Sequence, residues 1–297
     1  MNNPVPALRD NNEVAAAADR SRTIGDILVD SGRLDAEKVA LIVAQQEKDG
    51  SQFGEAALAL NLVTKDDVMF ALARQYDYAM LLPGASPVSK ELVVAYSPHS
   101  NVGERIRALR DQLALRWFGN DPLRKVLAVV SAEEREGKSF MTANLAAAFA
   151  QQGLKTLLID SNMRNPRQQQ IFGLERGPGL SSVLSERVTL TNAIEPVPTI
   201  PGLSLLIAGS LPPNPSELLG RQSFAKVLLF AASNFDVVLV DTPSGNACSD
   251  ATIVASRAGG ALVVARKDKS MLAGTSKFAK GLRDMGVALV GSVLNDA

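Results

Sequence analysis

The chain has 297 residues, 46% of them hydrophobic, and its 31 Lys and Arg balance 31 Asp and Glu. That length implies roughly two domains with an ample core, and a net charge of zero gives no global pointer to nucleic acid or to a bilayer surface. The single cysteine, Cys248, excludes an intramolecular disulfide and reads as a small buried hydrophobe in a reducing compartment.

Residues 1–21 are polar and alanine-rich and are expected as a flexible tail. They show no basic stretch followed by an apolar one, so no secretory signal is read there. No apolar run in the chain approaches the ~20 residues that span a bilayer, and a cytoplasmic protein is expected.

Residues 22–80 read as a small all-α domain made from two copies of one unit. The segment from Thr23-Ile24-Gly25 to Gln46 matches that from Gln52-Phe53-Gly54 to Gln75. Gly25 aligns with Gly54, Gly32 with Asn61, Val39 with Val68 and Gln46 with Gln75, 29 residues apart in every pair. Each copy reads as a short amphipathic helix, a turn with Gly or Asn at its C′ position, and a second helix. Asp35 and Thr64-Lys65-Asp66 stand where helix caps belong. The pair resembles the tandem N-terminal domain of type II secretion ATPases, in which related copies bind cyclic di-GMP through a motif beginning Arg-Leu-Gly. Here Thr23 and Gln52 occupy the arginine positions, and Arg22 and Arg33 lie out of register. Without a guanidinium to meet phosphate or guanine, protein docking is the stronger expectation for this domain and cyclic di-GMP the weaker.

Residues 81–100, with Pro83-Gly84, Ser86-Pro87 and Ser97-Pro98, are expected as an extended linker. His99, the only histidine, is read as a solvated residue within it. Tyr76 and Tyr78 are expected to pack against the helical domain.

From residue 101 the pattern becomes α/β. Apolar runs at 126–130, 156–159, 203–207, 236–240, 260–265 and 287–293 alternate with helical stretches, as in a parallel sheet buried on both faces. The first run leads into Ala132-Glu133-Glu134-Arg135-Glu136-Gly137-Lys138-Ser139 and then a helical segment from Phe140. Strand, loop, Gly-Lys-Ser and helix are the context of a phosphate-binding P-loop: backbone N–H groups converge on the anion, the lysine reaches the terminal phosphates and the serine hydroxyl holds Mg²⁺. Asp160 and Asp241 end two later apolar runs. An acid at the end of a buried strand beside a P-loop holds Mg²⁺, directly or through water, although a lone strand-end aspartate more often only caps its turn.

Taken together these motifs make residues 101–297 resemble the bacterial tyrosine kinases of exopolysaccharide biosynthesis, within the MinD/ParA-like P-loop class. Ser131 to Ser139 match that family's Walker A motif, Ile159 to Arg164 its Walker A′ motif, and Val238 to Pro243 its Walker B. Pro212-Pro213-Asn214-Pro215-Ser216-Glu217-Leu218-Leu219 matches a further family segment. Glu104, Arg107 and Arg110 match its E-x-x-R-x-x-R helix, which implies homo-oligomerisation. With the N-terminal domain included, the order is that of the EpsG-like group, partners of a membrane chain-length determinant protein of the export machinery at the inner membrane. The resemblance implies ATP and Mg²⁺ as cofactors and Lys138, Asp160 and Asp241 as catalytic residues. It implies nucleotide contacts from Glu134, Arg135, Glu136, Gly137, Lys138, Ser139, Phe140 and, at adenine, Asn295. Ser139, Asp160, Asn162 and Asp241 are the implied metal ligands. Arg164 and Arg167 suit a phosphate or an acidic acceptor segment, and equally a surface ion pair.

Three departures from the family pattern stand out. Arg135 replaces a glycine, at a cost of about 1 kcal/mol if the position needs a positive φ, and Glu133, Glu134 and Glu136 bring negative charge toward a phosphate site. Asn162 replaces an acid and offers a metal only an uncharged carbonyl. The only tyrosines, Tyr76, Tyr78 and Tyr96, all precede the nucleotide-binding motifs, and Tyr96 is the best-placed acceptor of the three. The leading expectation is an ATP-dependent protein-tyrosine kinase regulating exopolysaccharide polymerisation and export. A nucleotide-binding scaffold with little kinase activity is the alternative. A ParA-like partitioning ATPase is the minor one, since the loop lacks that class's early lysine and no basic DNA-binding surface is evident.

Overall fold

A computed structural model of the protein describes residues 22–296 apart from 77, 83, 85 and 120–123. The tail expected at 1–21 lies outside the described residues. The chain divides into two compact units after Leu82.

The first unit contains α1 (Ile24–Asp30), α2 (Ala36–Asp49), α3 (Phe53–Ala59) and α4 (Lys65–Gln75). Its repeat is visible in the hydrogen bonds. After α1, Gly32 N donates to Val29 O and Arg33 N to Leu28 O; after α3, Asn61 N donates to Leu58 O and Leu62 N to Ala57 O. Both are Schellman closures, with Gly32 at φ 68° and Asn61 at φ 54° in the left-handed position each requires. The positions where an arginine was wanted serve as caps instead: Thr23 forms a capping box with Asp26, and Gln52 another with Glu55. Thr64 does the same with Asp67 ahead of α4. Arg22 pairs with Asp30, and Arg33 with Asp67 at 3.6 Å, so both nearby guanidinium groups are engaged by acids of the same unit. The core is apolar, centred on Leu28, Ile42, Ala57 and Ala71, and it includes Met80 and Leu82. Tyr78 packs on it, but Tyr76, expected to do likewise, is 79% exposed, because α4 ends at Gln75 and the chain turns its ring outward.

The second unit begins earlier than the sequence suggests. Residues 86–100, expected as part of an extended linker, carry a helical turn, α5 (Val93–Tyr96), and bury Val88, Leu92, Val94 and Ala95. Polar contacts hold it there, among them those of Asn144, Gln151 and Arg167. Asn144 accepts from Val94 N at 3.1 Å and donates to Glu91 O at 2.9 Å, stitching this segment to the helix that carries the P-loop lysine. Tyr96 is held within the unit, its hydroxyl donating to Val88 O at 2.7 Å. His99 is exposed, as expected.

The remaining elements are α6 (Asn101–Leu113, followed by a π-helical turn over Ala114–Phe118), β1 (Val126–Val130), α7 (Lys138–Gln151), β2 (Thr156–Asp160), α8 (Gln168–Ile171), α9 (Leu180–Leu184), α10 (Leu190–Ala193), β3 (Glu195–Pro196), β4 (Leu203–Leu206), α11 (Pro215–Gly220), α12 (Gln222–Asn234), β5 (Val237–Asp241), α13 (Asp250–Ala258), β6 (Gly260–Arg266), α14 (Leu272–Asp284) and β7 (Ala288–Asn295). The sheet order is β3-β4-β2-β5-β1-β6-β7, parallel except for the short β3, which runs antiparallel to β4. All residues of β1, β2 and β5 are buried, which their unbroken apolar runs require. The six expected strands are present, and β3 is the addition. Helix α7 is buried from Met141 to Ala150. Its alanines keep it thin enough to lie between the sheet and α5–α6.

Candidate active site

The site lies at the carboxyl ends of β1, β2 and β5, where a parallel sheet presents its loops and helix N-termini. Leaving β1, the chain passes through Ser131 to Gly137 and enters α7 at Lys138 with the first N–H groups of that helix unsatisfied internally. Lys138 is buried, its Nζ 2.7 Å from Ser131 Oγ and 3.4 Å from Glu133 O. Burial lowers its pKa, against Asp241, Glu136 and Glu134, which favour the charged form. A cavity of about 740 Å³ opens over the loop, lined by Gly137, Lys138, Ser139, Phe140 and Asn295 among others.

Two loop residues take left-handed backbone, Arg135 at φ 57° and Gly137 at φ 92°. Arg135 therefore carries a side chain on left-handed backbone, at a cost of about 1–2 kcal/mol. The loop is braced from the turn after β6. Arg266 donates to Arg135 O at 3.3 Å and Lys269 to Glu134 O at 3.1 Å, and the Ser270 hydroxyl binds Glu136 Oε1.

Those contacts correct two expectations. Glu136 does not face the nucleotide cavity: it is fully buried, and its carboxylate turns back to accept from Glu133 N at 2.8 Å and from Ser270. It is an internal strut of the loop, and its charge acts on Lys138. Glu133 is likewise occupied, accepting from Asn246 Nδ2 at 2.6 Å. Asn295 does reach the cavity from the end of β7, but its Nδ2 donates to Glu136 O at 3.2 Å. It closes the P-loop from above rather than holding a free amide toward a base.

Asp160 and Asp241 are fully buried and stand side by side in register on β2 and β5. Neither is among the residues that line the open cavity. Asp160 accepts from the backbone N of Asn162, Arg167 and Gln168 at 3.0–3.1 Å. Burial and then the neighbouring Asp241 charge still push its carboxyl up to about 8. Asp241 is also raised by burial, opposed by Gln168, Ser139 and Lys138. Asn162 departs from its expected ligand role. Its Oδ1 accepts from Asn165 N at 3.1 Å and its Nδ2 donates to Asn165 O at 2.9 Å, so the amide closes its own turn. Arg164 is paired with buried Asp250 at 3.0 Å and Arg167 with Glu91 at 2.7 Å, both at the rim of the cavity.

The donor set fits a magnesium–nucleotide. Two adjacent buried carboxylates with raised pKa, a serine hydroxyl and a buried ammonium leave a place for a divalent cation. The unsatisfied amides of the first turn of α7 suit a phosphate chain. Sequence reasoning missed Gln168, whose amide reaches Asp241 at 2.7 Å, and the brace from Arg266, Lys269 and Ser270. Nothing local in the sequence marks either, since both act across the sheet.

The residues expected to mediate self-association, Glu104, Arg107 and Arg110, lie on α6. Arg107 pairs with Glu104, and Arg110 turns inward to donate to Ala148 O at 3.2 Å, so only Glu104 of the three is well exposed. Among the described residues no helix is long and apolar enough to cross a membrane.

A family model described as ParA, NUBPL iron-transfer P-loop NTPase, matches residues 122–296. The tyrosine-protein kinase YwqD of Bacillus subtilis is 32% identical over 210 residues, 71% of this chain and 87% of that protein. The chain belongs to the bacterial tyrosine-protein kinases of the ParA-like P-loop class. The kinase domain of the Escherichia coli tyrosine kinase ETK superposes with a TM-score of 0.66 at 32% identity, covering 69% of this chain and 80% of that one. With the tyrosine-protein kinase wzc of Salmonella typhimurium the identity is 33% over 205 residues, but these are only 28% of that longer protein. Cys248 is the only cysteine, so the iron transfer in the family model's description finds no set of thiolate ligands in this chain.

Proposed function

We propose that the protein is an ATP-dependent protein-tyrosine kinase that regulates exopolysaccharide polymerisation and export. The observation that carries this reading is the register pairing of Asp160 with Asp241, with Ser139 bonded to Asp241 and Lys138 near it, in a chain that belongs to the tyrosine-kinase family. Lys138 would neutralise the β- and γ-phosphates, and Ser139 and Asp241 would hold Mg²⁺. When bound, the metal would supply charge neutralisation for the phosphate chain. Asp160, buried and raised in pKa, would orient the acceptor hydroxyl or take its proton. Arg164 and Arg167 would border the entry of an acceptor segment. Asn295 would meet the base only with the face its P-loop bond leaves open.

The matching segment is 28% of wzc. In this reading the rest of such an assembly is supplied here by a separate membrane chain-length determinant, with the kinase oligomerising against it and peripheral to the inner membrane. The helical unit serves as a docking module, since Arg22 and Arg33 are committed to acids where cyclic di-GMP would need them free.

The test is phosphotransfer from ATP to a Glu–Tyr copolymer, with Lys138→Met as the control. Phosphotyrosine above that control supports the kinase. A second reading, a nucleotide-binding scaffold, is favoured by Asn162, whose amide is spent on its own turn. ATP-dependent assembly without phosphotyrosine would select it.

A further inference from the structure

Gln168 opens α8 and is fully buried. Its two amide protons are both used: Nε2 donates to Asp241 Oδ2 at 2.7 Å and to Ser139 O at 3.1 Å. Its backbone N donates to Asp160 Oδ2 at 3.1 Å. One residue thus touches the P-loop helix, the acid of β2 and the acid of β5. Its remaining polar atom, Oε1, is buried and has no hydrogen-bond partner among the described residues. An orphaned buried amide carbonyl has lost its hydration without replacement. The amide cannot simply be turned over, because Oε1 would then face the Asp241 carboxylate.

We infer that Gln168 is the positioning residue of the metal site: it holds Asp241 and the Ser139 turn at a fixed separation, and its orphaned Oε1 is completed only when hydrated Mg²⁺ enters. Two observations and one chemical principle converge on this. The donor pair spans the two elements that carry the candidate ligands Ser139 and Asp241. The free acceptor lies in the same buried polar cluster. A water bound to a divalent cation is a strengthened donor of the kind an unpaired carbonyl lacks here. Ser139 itself bonds Asp241 and Thr142 approaches its other oxygen, Oδ1, at 3.5 Å, but among the described residues Gln168 is the side chain that bonds both the Ser139 carbonyl and Asp241. The metal-free protein therefore keeps its acids aligned through a neutral amide, without adding a further charge to a site whose two carboxylates already repel.

The inference rests on the magnesium–nucleotide reading of the site, and the experiment separates the two. ADP binding is measured by calorimetry with and without Mg²⁺ on the full chain and on Gln168→Leu and Gln168→Met, with thermal unfolding of each in metal-free buffer. Methionine keeps the length and flexibility of glutamine, so it stands in if the leucine variant does not fold. In the parent, Mg²⁺ tightens ADP. In the variants metal-free ADP binding is retained, while the Mg²⁺-dependent increment falls at least tenfold, as for loss of an outer-shell partner. An unchanged increment in a folded variant overturns the inference, as does an equal loss of metal-free ADP binding, which would make Gln168 merely structural. No Mg²⁺-dependent tightening in the parent overturns the reading beneath it as well.

Discussion

Asn295, the last residue of β7, lies so close over Gly137 that a Cβ built there would stand 2.1 Å from its Nδ2. The N-cap of the P-loop helix and the C-terminal edge of the sheet therefore meet where an added methyl must displace the Asn295 amide and accept a strained φ of 92°. Gly137→Ala is expected to weaken ADP binding by about tenfold or more by calorimetry. Adding Asn295→Ala is expected to recover only part of it, because the left-handed backbone still costs about 1–2 kcal/mol after the clash is gone.

Arg135 supplies the opposite experiment. Its φ of 57° is strained for a side chain, and its contact to Arg266 is made by the backbone carbonyl, which any residue retains. Arg135→Gly is expected to raise stability by about 1 kcal/mol in urea unfolding, the relief of strain exceeding the entropy that glycine adds to the unfolded chain.

The brace from the β6–α14 turn is testable at Ser270. Removing its hydroxyl leaves the buried Glu136 carboxylate with Glu133 N alone. Ser270→Ala is expected to cost about 1–3 kcal/mol and to weaken ADP binding several-fold, with Glu136→Gln giving a milder loss.

Stability should fall with rising pH in metal-free buffer. The Asp160 carboxyl titrates near 8 in the folded protein against an unperturbed 3.8, and Asp241 is raised in the same direction. Between those values the folded state holds a proton that the unfolded chain has released, so unfolding gains as pH rises. The unfolding temperature is expected to decline from pH 5 to pH 8 and to level off above it, and Asp160→Asn should flatten that decline.

The tyrosines differ in access. Tyr96 donates to Val88 O and Tyr78 packs on the helical core, whereas Tyr76 is 79% exposed. If the protein labels itself with phosphate from ATP, Tyr76→Phe is expected to remove most of the signal by mass spectrometry and Tyr96→Phe little of it. This reverses the ranking that linear position suggested.

Much of the site is legible in the sequence because its chemistry is local. A glycine, lysine and serine in succession after an apolar run, and an aspartate at the end of each of two others, specify a phosphate loop and two strand-end acids through backbone geometry alone. The 29-residue repeat was equally local, since left-handed Gly32 and Asn61 close their helices through hydrogen bonds spanning five residues. The linker was misread because its proline and serine content reports turns and says nothing of Asn144, about fifty residues away, which helps to pin it.

By itself, then, the sequence determined the class of sheet, the phosphate loop, the two acids and the helical repeat. Each depends on contacts within a few residues or on unbroken hydrophobicity. Only the tertiary structure decided which charges face the nucleotide cavity. Glu136 is turned away by Ser270, Asn162 is absorbed into its own turn, Asn295 is spent on the loop, and Gln168 becomes the bridge between Ser139 and Asp241. Those outcomes rest on side chains brought together across the sheet from up to 159 positions apart. There a hydrogen bond made or left orphaned is settled by packing, which no local pattern encodes.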